Sequence, residues 1–221
     1  MHPPRWALSL ILLAITLAYL AVGALAWGRI EGYLAHPARA TAIGLTLVAT
    51  LVVTTLTDFN MGSGKREDVS NRWILLPLIL GSVPLSWLPP YLDRRELWVL
   101  DGDRVRYFGL ATLAVGAAIR VWPMFVLGRR FSGLVAIQED HALVTTGLYR
   151  HLRHPSYLGA LIGFVGWMLV FRCGVGLLLV PPLLWLIVAR MDAEEALLTS
   201  EFGRAYAAYR DRTWRLVPWV Y

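Results

Sequence analysis

The sequence predicts an all-α fold, a polytopic membrane helical bundle of five to six spans, the last two a short helical hairpin, with a cytoplasmic C-terminal helix. Three observations carry the prediction. Of 221 residues, 57% are hydrophobic and 16% charged, with a mean hydropathy of +0.55, whereas a soluble domain carries about 25% charged residues. Charge-poor stretches of spanning length recur along the chain. The net charge of +6 is distributed unevenly over the polar segments that join them. The same composition excludes a disordered chain, and a soluble domain built from it would expose extensive apolar patches. Cys173 is the single cysteine, so no intrachain disulfide forms.

The elements follow in order. Trp6 to Trp27 holds 22 residues without a charge; it is long for the core of a signal peptide and lacks a small-x-small cleavage signal, so it reads as a retained helix. Ala40 to Thr57 is the second span. Trp73 to Tyr91 is the third, with Pro77 and Pro84 inside and Pro89-Pro90 closing it; neighbours re-satisfy the carbonyls that membrane prolines free. Tyr107 to Leu127 is the fourth and contains Arg120. Pro155 to Ala189 runs for 35 residues, interrupted only by Arg172 beside Cys173 and Gly174, and reads as two short helices in a hairpin. Trp27, Trp73, Trp87, Trp98 and Trp122 fall near span ends, as an aromatic belt does.

With six crossings both termini share a face. That face carries 13 of the 21 basic residues (Arg5, those between Lys65 and Arg72, those between Arg129 and Arg153, and those from Arg190 onward), against 7 opposite, Arg120 lying within a span. The positive-inside bias then puts both termini in the cytoplasm, and the charge reads as topology rather than as nucleic-acid binding. Lys65 is the only lysine, a bias that fits a GC-rich genome, and the location expected is a bacterial inner membrane, multi-pass, with the reactive face in the cytoplasm.

Several signals fail on inspection. Gly62-Ser63-Gly64-Lys65-Arg66 lacks the first glycine of a phosphate loop, and Arg66 stands where Ser or Thr would hold magnesium. His151 and His154 have no further ligand at fitting spacing, so no metal is expected. Cys173, at the hairpin tip, is a small apolar residue in a turn, isolated from any base. Arg120 keeps two readings: it snorkels or pairs structurally, or it serves a site.

Two polar segments flank the hairpin, Gly128 to His154 and Asp192 to Tyr221. In the first, Gly147 permits a tight turn, Pro155 suits the first turn of a helix, and Tyr149, Tyr157, Arg153 and His154 crowd the membrane entry. In the second, Arg190, Glu194, Leu198, Phe202 and Tyr206 recur at i, i+4, a helical periodicity that gives a stripe with Glu194 at its membrane end. Arg190 and Glu194 form either a surface ion pair on an interfacial helix or a charged pair at the mouth of the bundle.

These residues resemble a known family. Gly147-Leu148-Tyr149, then Arg153-His154-Pro155-Ser156-Tyr157, then Arg190 and Glu194-Glu195, then Phe202-Gly203 and Tyr206 are similar to the isoprenylcysteine carboxyl methyltransferases, within a wider group that includes membrane phospholipid methyltransferases. The resemblance covers about residues 105 to 215. It implies a membrane-embedded S-adenosyl-L-methionine site with no Rossmann sheet. Carried over by position, His141, Ala142, Leu143, Val144, Tyr149, His154, Pro155, Ser156, Tyr157 and Glu194 contact the cofactor. Arg190 matches a substrate-binding position, and Arg190 and Glu194 stand as the catalytic pair. Gln138 lies where a cofactor-contacting glutamine precedes the loop in the eukaryotic enzymes, at a shorter spacing, and Ala142 replaces a threonine common in them.

The chain then divides into N-terminal membrane helices (1–104) and a methyltransferase catalytic region (105–221). The implied reaction is carboxyl O-methylation of a prenylcysteine-like or other lipophilic acceptor, with membrane lipids as surroundings and no nucleic acid partner. An ethanolamine phospholipid or a small thiol is the alternative acceptor. A non-catalytic membrane protein or small transporter is the alternative of another class, although a transporter would place ionisable groups through several spans. The oligomeric state stays open.

Overall fold

A computed structural model of the chain describes residues 5–57, 66–128, 131, 134–137 and 142–221. Its helices are α1 (Arg5–Trp27), α2 (Ile30–Leu34), α3 (Pro37–Leu56), α4 (Leu75–Arg95), α5 (Asp103–Leu127), α6 (Pro155–Val170), α7 (Val180–Phe202) and α8 (Arg204–Arg210). A two-residue antiparallel ladder joins β1 (Arg66–Glu67) to β2 (Ala136–Ile137), an addition to the all-α prediction. The Gly62 to Lys65 stretch lies outside the described residues.

Among the described residues, five stretches are long and apolar enough to cross a membrane: Trp6–Trp27, Pro37–Leu56, Ser70–Arg95, Asp103–Leu127 and Val175–Phe202. α6, with 16 residues, is shorter; at about 1.5 Å per residue it extends roughly 24 Å, against a hydrocarbon layer of about 30 Å. Leu10, Ile15, Leu76, Ile79 and Leu80 stay exposed on α1 and α4, an outward face that lipid accepts and water would not.

The helices of the second and fourth spans, α3 and α5, begin ahead of the predicted spans, at Pro37 and Asp103, and two further boundaries differ from the sequence reading. Pro89-Pro90 does not close the third span; α4 continues to Arg95, and both prolines are buried. Pro89 cannot donate to the carbonyl of Leu85, but Tyr19 Oη from α1 donates to it at 3.2 Å, so the helix survives its missing bond. The hairpin's second arm does not end at Ala189 either. α7 runs unbroken through Arg190 to Phe202, because Pro181 and Pro182 sit in its first turn and the next breaker is Gly203, whose φ of 50° ends the helix. The predicted C-terminal helix is therefore the far half of α7 followed by the short α8, and the i, i+4 stripe bends between Phe202 and Tyr206.

One end of the bundle is closed by a buried charge. Asp93, near the end of α4, is fully buried and accepts from three guanidinium groups: Arg106 at 2.5 and 2.8 Å, Arg172 at 2.9 Å and Arg39 at 3.3 Å. Arg39 also donates to the carbonyls of Tyr33 and Gly32, and Arg106 to that of Val170. A buried carboxylate needs such partners, and this one ties α2 through α6 together. Cys173 is buried beside it in the turn after α6, as expected, with its N–H on Met168 O.

Candidate active site

The opposite end of α5 carries the cavity, and glycine brings its walls together. A Cβ on Gly116 would strike the backbone of Gly163, one on Gly159 that of Arg120, and one on Gly166 that of Leu113. α5 and α6 therefore touch backbone to backbone, the close approach that small residues permit between membrane helices. Arg120 consequently emerges beside the first turn of α6, where its Nη1 donates to Ser156 Oγ at 2.5 Å.

The loop before α6 is shaped by Gly147, whose φ of 61° and contact with the Trp122 ring leave no room for a side chain. A 3-10 turn, Gly147–Arg150, follows, and Pro155 opens α6. The chain after α8 lies along this loop: Arg153 N donates to Trp214 O and Trp214 N to His151 O, both at 2.8 Å, and His154 N to Arg215 O at 3.2 Å.

A cavity of about 360 Å³ results, within the range of small-molecule sites. Ala142, Leu143, Val144, Tyr149, His154, Pro155, Ser156, Tyr157, Arg190 and Glu194 all line it; His141 and Gln138 lie outside the described residues. Arg120, for which the sequence left a site role open, lines it too, as do Arg153, Tyr206 and Tyr209, which the sequence did not nominate as site residues. Leu183, Leu186 and Ile187 of α7 and Leu75 and Leu78 of α4 supply an apolar wall at the level of the spans.

The charged groups are cross-tied. Tyr157 Oη accepts from Arg190 Nε at 2.8 Å and donates to Glu194 Oε2 at 2.9 Å, so one hydroxyl orients both residues that the sequence paired. Behind them Glu195 Oε1 receives Arg153 Nε at 2.9 Å, His154 Nε2 at 3.0 Å and Arg215 Nε at 3.2 Å. His154 is thereby held with Nε2 on Glu195 and Nδ1 4.0 Å from Glu194. His151 is exposed and does not line the cavity, and among the described residues no three His, Cys, Asp or Glu side chains converge as a metal site would need. Burial, then the Glu194 charge, pushes the Tyr149 phenol well up, so it stays a neutral donor rather than a base. Tyr209 Oη donates to Tyr149 O at 2.8 Å, fixing α8 over the loop.

Spanning helices around a cavity with a cross-tied polar side and an apolar side at bilayer level define a multi-pass integral membrane protein with a small-molecule site at one end of its bundle. Residues 109–200 match the model of the isoprenylcysteine carboxyl methyltransferase (ICMT) family, so this part of the chain is similar to that family. It is 38% identical over 119 residues to protein-S-isoprenylcysteine O-methyltransferase A of Arabidopsis thaliana, a match covering 52% of this chain and 60% of that one. It is 37% identical over 114 residues to the Schizosaccharomyces pombe protein-S-isoprenylcysteine O-methyltransferase, covering 50% and 48%. The chain thus spans about half to three-fifths of the length of these curated relatives. The fold is similar to that of the eukaryotic intramembrane Ras methyltransferase ICMT, with a TM-score of 0.57 at 19% identity over 94% of this chain and 75% of that one.

Proposed function

We propose that this chain is an S-adenosyl-L-methionine-dependent methyltransferase that esterifies the carboxylate of a prenylcysteine-like, lipophilic acceptor. The observation that carries the reading is the pairing of groups on one cavity: guanidiniums at Arg120 and Arg190, a carboxylate at Glu194 tied to Arg190 through Tyr157, and an apolar wall reaching into the spans. The donor set fits the cofactor. Glu194 suits its cationic part, Tyr149, Leu143 and Val144 suit an adenine face, and His154, Pro155, Ser156 and Tyr157 surround the remainder.

When bound, the cofactor would supply a methyl group on a sulfonium; an acceptor carboxylate oxygen would form the bond to that methyl carbon as the carbon–sulfur bond breaks, giving a neutral ester and releasing a thioether. The acceptor is already an anion near neutral pH, so no general base is required. Arg190 orients that anion; its Nε, committed to Tyr157, fixes the plane of the guanidinium. Arg120, anchored on Ser156, adds a second positive charge. A reaction that neutralises two opposite charges is favoured by the apolar wall, and positioning supplies up to about 7–11 kcal/mol in ideal cases. The acceptor's lipid chain lies along Leu183, Leu186 and Ile187 and enters from the bilayer.

The catalytic region is residues 105–221, with 1–104 as the supporting membrane helices. The excess of basic residues at the cavity end supports a cytoplasmic active site; the membrane proposed is a bacterial inner membrane. Arg190→Lys keeps the charge and loses the fork, and should raise the acceptor KM by about 10-fold or more; unchanged kinetics would remove Arg190 from the acceptor site. Calorimetry on Glu194→Ala should show weakened S-adenosylhomocysteine binding, and wild-type affinity would remove Glu194 from the cofactor site.

A further inference from the structure

The two tyrosines of α8 sit one turn apart and are treated differently. Tyr209 Oη has its acceptor in Tyr149 O. Tyr206 is more deeply buried, at 1% exposure, yet its Oη has no hydrogen-bond partner among the described residues. Leaving a buried hydroxyl unsatisfied is costly, so each such group calls for an explanation. Among the described residues the other buried orphan atoms belong to Tyr33, Asn71, Arg106 and Trp167, none of which lines the cavity, whereas Tyr206 does. Looseness does not account for it, because α8 is pinned to the loop before α6 through Tyr209 Oη on Tyr149 O and through Arg153 Nη1, which donates to Arg210 O at 3.0 Å.

We propose that Tyr206 Oη is a ligand-contacting group of this cavity, donating a hydrogen bond to the adenosyl cofactor when it is bound. The inference rests on the cofactor reading above and assigns it a further residue. Burial raises the phenol's pKa, so the hydroxyl keeps its proton and acts as a donor to a carboxylate, ribose or ring-nitrogen acceptor. Glu195 does not serve as the resident acceptor through Oε1, which Arg153, His154 and Arg215 already share.

Tyr206→Phe tests this directly, because it deletes one hydroxyl and preserves the ring. The variant and the wild type are purified in detergent, S-adenosylhomocysteine affinity is measured by calorimetry, and ligand-free thermal stability is measured beside it. The expected result is an affinity loss of roughly 10-fold, the worth of one hydrogen bond to a ligand, with a ligand-free melting temperature equal to or above that of the wild type. Equal affinity in the two proteins overturns the inference while leaving the cofactor site standing. A fall in ligand-free stability overturns it as well, since it would mean that the hydroxyl has a partner within the protein. Absence of binding by the wild type itself would instead overturn the cofactor reading on which the inference rests.

Discussion

Glu195→Ala should unfasten the wall behind the site. Two guanidiniums and an imidazole meet on Glu195 Oε1, at 2.9, 3.2 and 3.0 Å from Arg153, Arg215 and His154. The side chains of Arg153, His154, Glu195 and Arg215 are 11%, 3%, 15% and 14% exposed, so the cluster is largely removed from water. Removing the shared carboxylate leaves buried cations without a counter-charge, a loss of about 3–5 kcal/mol. Glu195→Gln retains an acceptor oxygen and should cost less, about 1–2 kcal/mol. The cost is read from unfolding titrations in mixed micelles, with an Arg153→Ala, Glu195→Ala double-mutant cycle to isolate the pair. A cofactor affinity measured in parallel should fall, because the carboxylate that holds His154 at the cavity is gone. Stability within about 0.5 kcal/mol of wild type for Glu195→Ala, or no coupling to Arg153, would refute the reasoning.

Asp93→Asn should destabilise the opposite end of the bundle by about 3–5 kcal/mol, since Arg39, Arg106 and Arg172 lose their common counter-charge; the same titration measures it. Gly159→Leu should separate α5 from α6 and abolish cofactor binding, because its side chain would enter the space of the Arg120 backbone; calorimetry on folded, monodisperse protein checks this. Arg120→Lys should lower kcat/KM by about 10-fold to 100-fold, through loss of a charge-assisted contact with Ser156 and of the fork presented to the acceptor; steady-state kinetics with a saturating cofactor reads it. Cys173 should resist maleimide labelling in the folded protein and react after denaturation, because it is wholly buried.

Much of this was legible because the bilayer imposes length. Trp6–Trp27 and the later spans are readable from hydropathy alone. The contribution of Tyr19 was not: its hydroxyl reaches Leu85, and no local pattern tells that a proline's missing bond will be replaced from another helix. Asp93 was invisible for the same reason, since its partners come from three separate elements. The convergence of Tyr149, His154, Tyr157, Arg190 and Glu194 on one cavity was expected from the family resemblance and not from periodicity, which left Arg190 and Glu194 with two readings.

Arg120 was readable as an ionisable residue within a span, with a structural and a site role both open. A signal that would have placed it was present: Gly159 and Gly163 form a G-x-x-x-G pair in an apolar helix, the mark of a close helix contact. That contact is what sets Arg120 beside Ser156. Tyr206 and Tyr209 read as a continuation of the α7 stripe, but Gly203 breaks the helix and turns them onto the cavity as part of α8.

The central claim is methyl transfer to a lipophilic carboxylate, and it is tested most directly by incubating the purified protein in detergent with methyl-labelled S-adenosylmethionine and three acceptors: a farnesylated cysteine analogue with a free carboxylate, phosphatidylethanolamine and a small thiol. Label recovered as a base-labile methyl ester on the prenylcysteine analogue is the predicted result. Stable label on the amine or the thiol with none on the carboxylate, or no transfer to any acceptor, would contradict it.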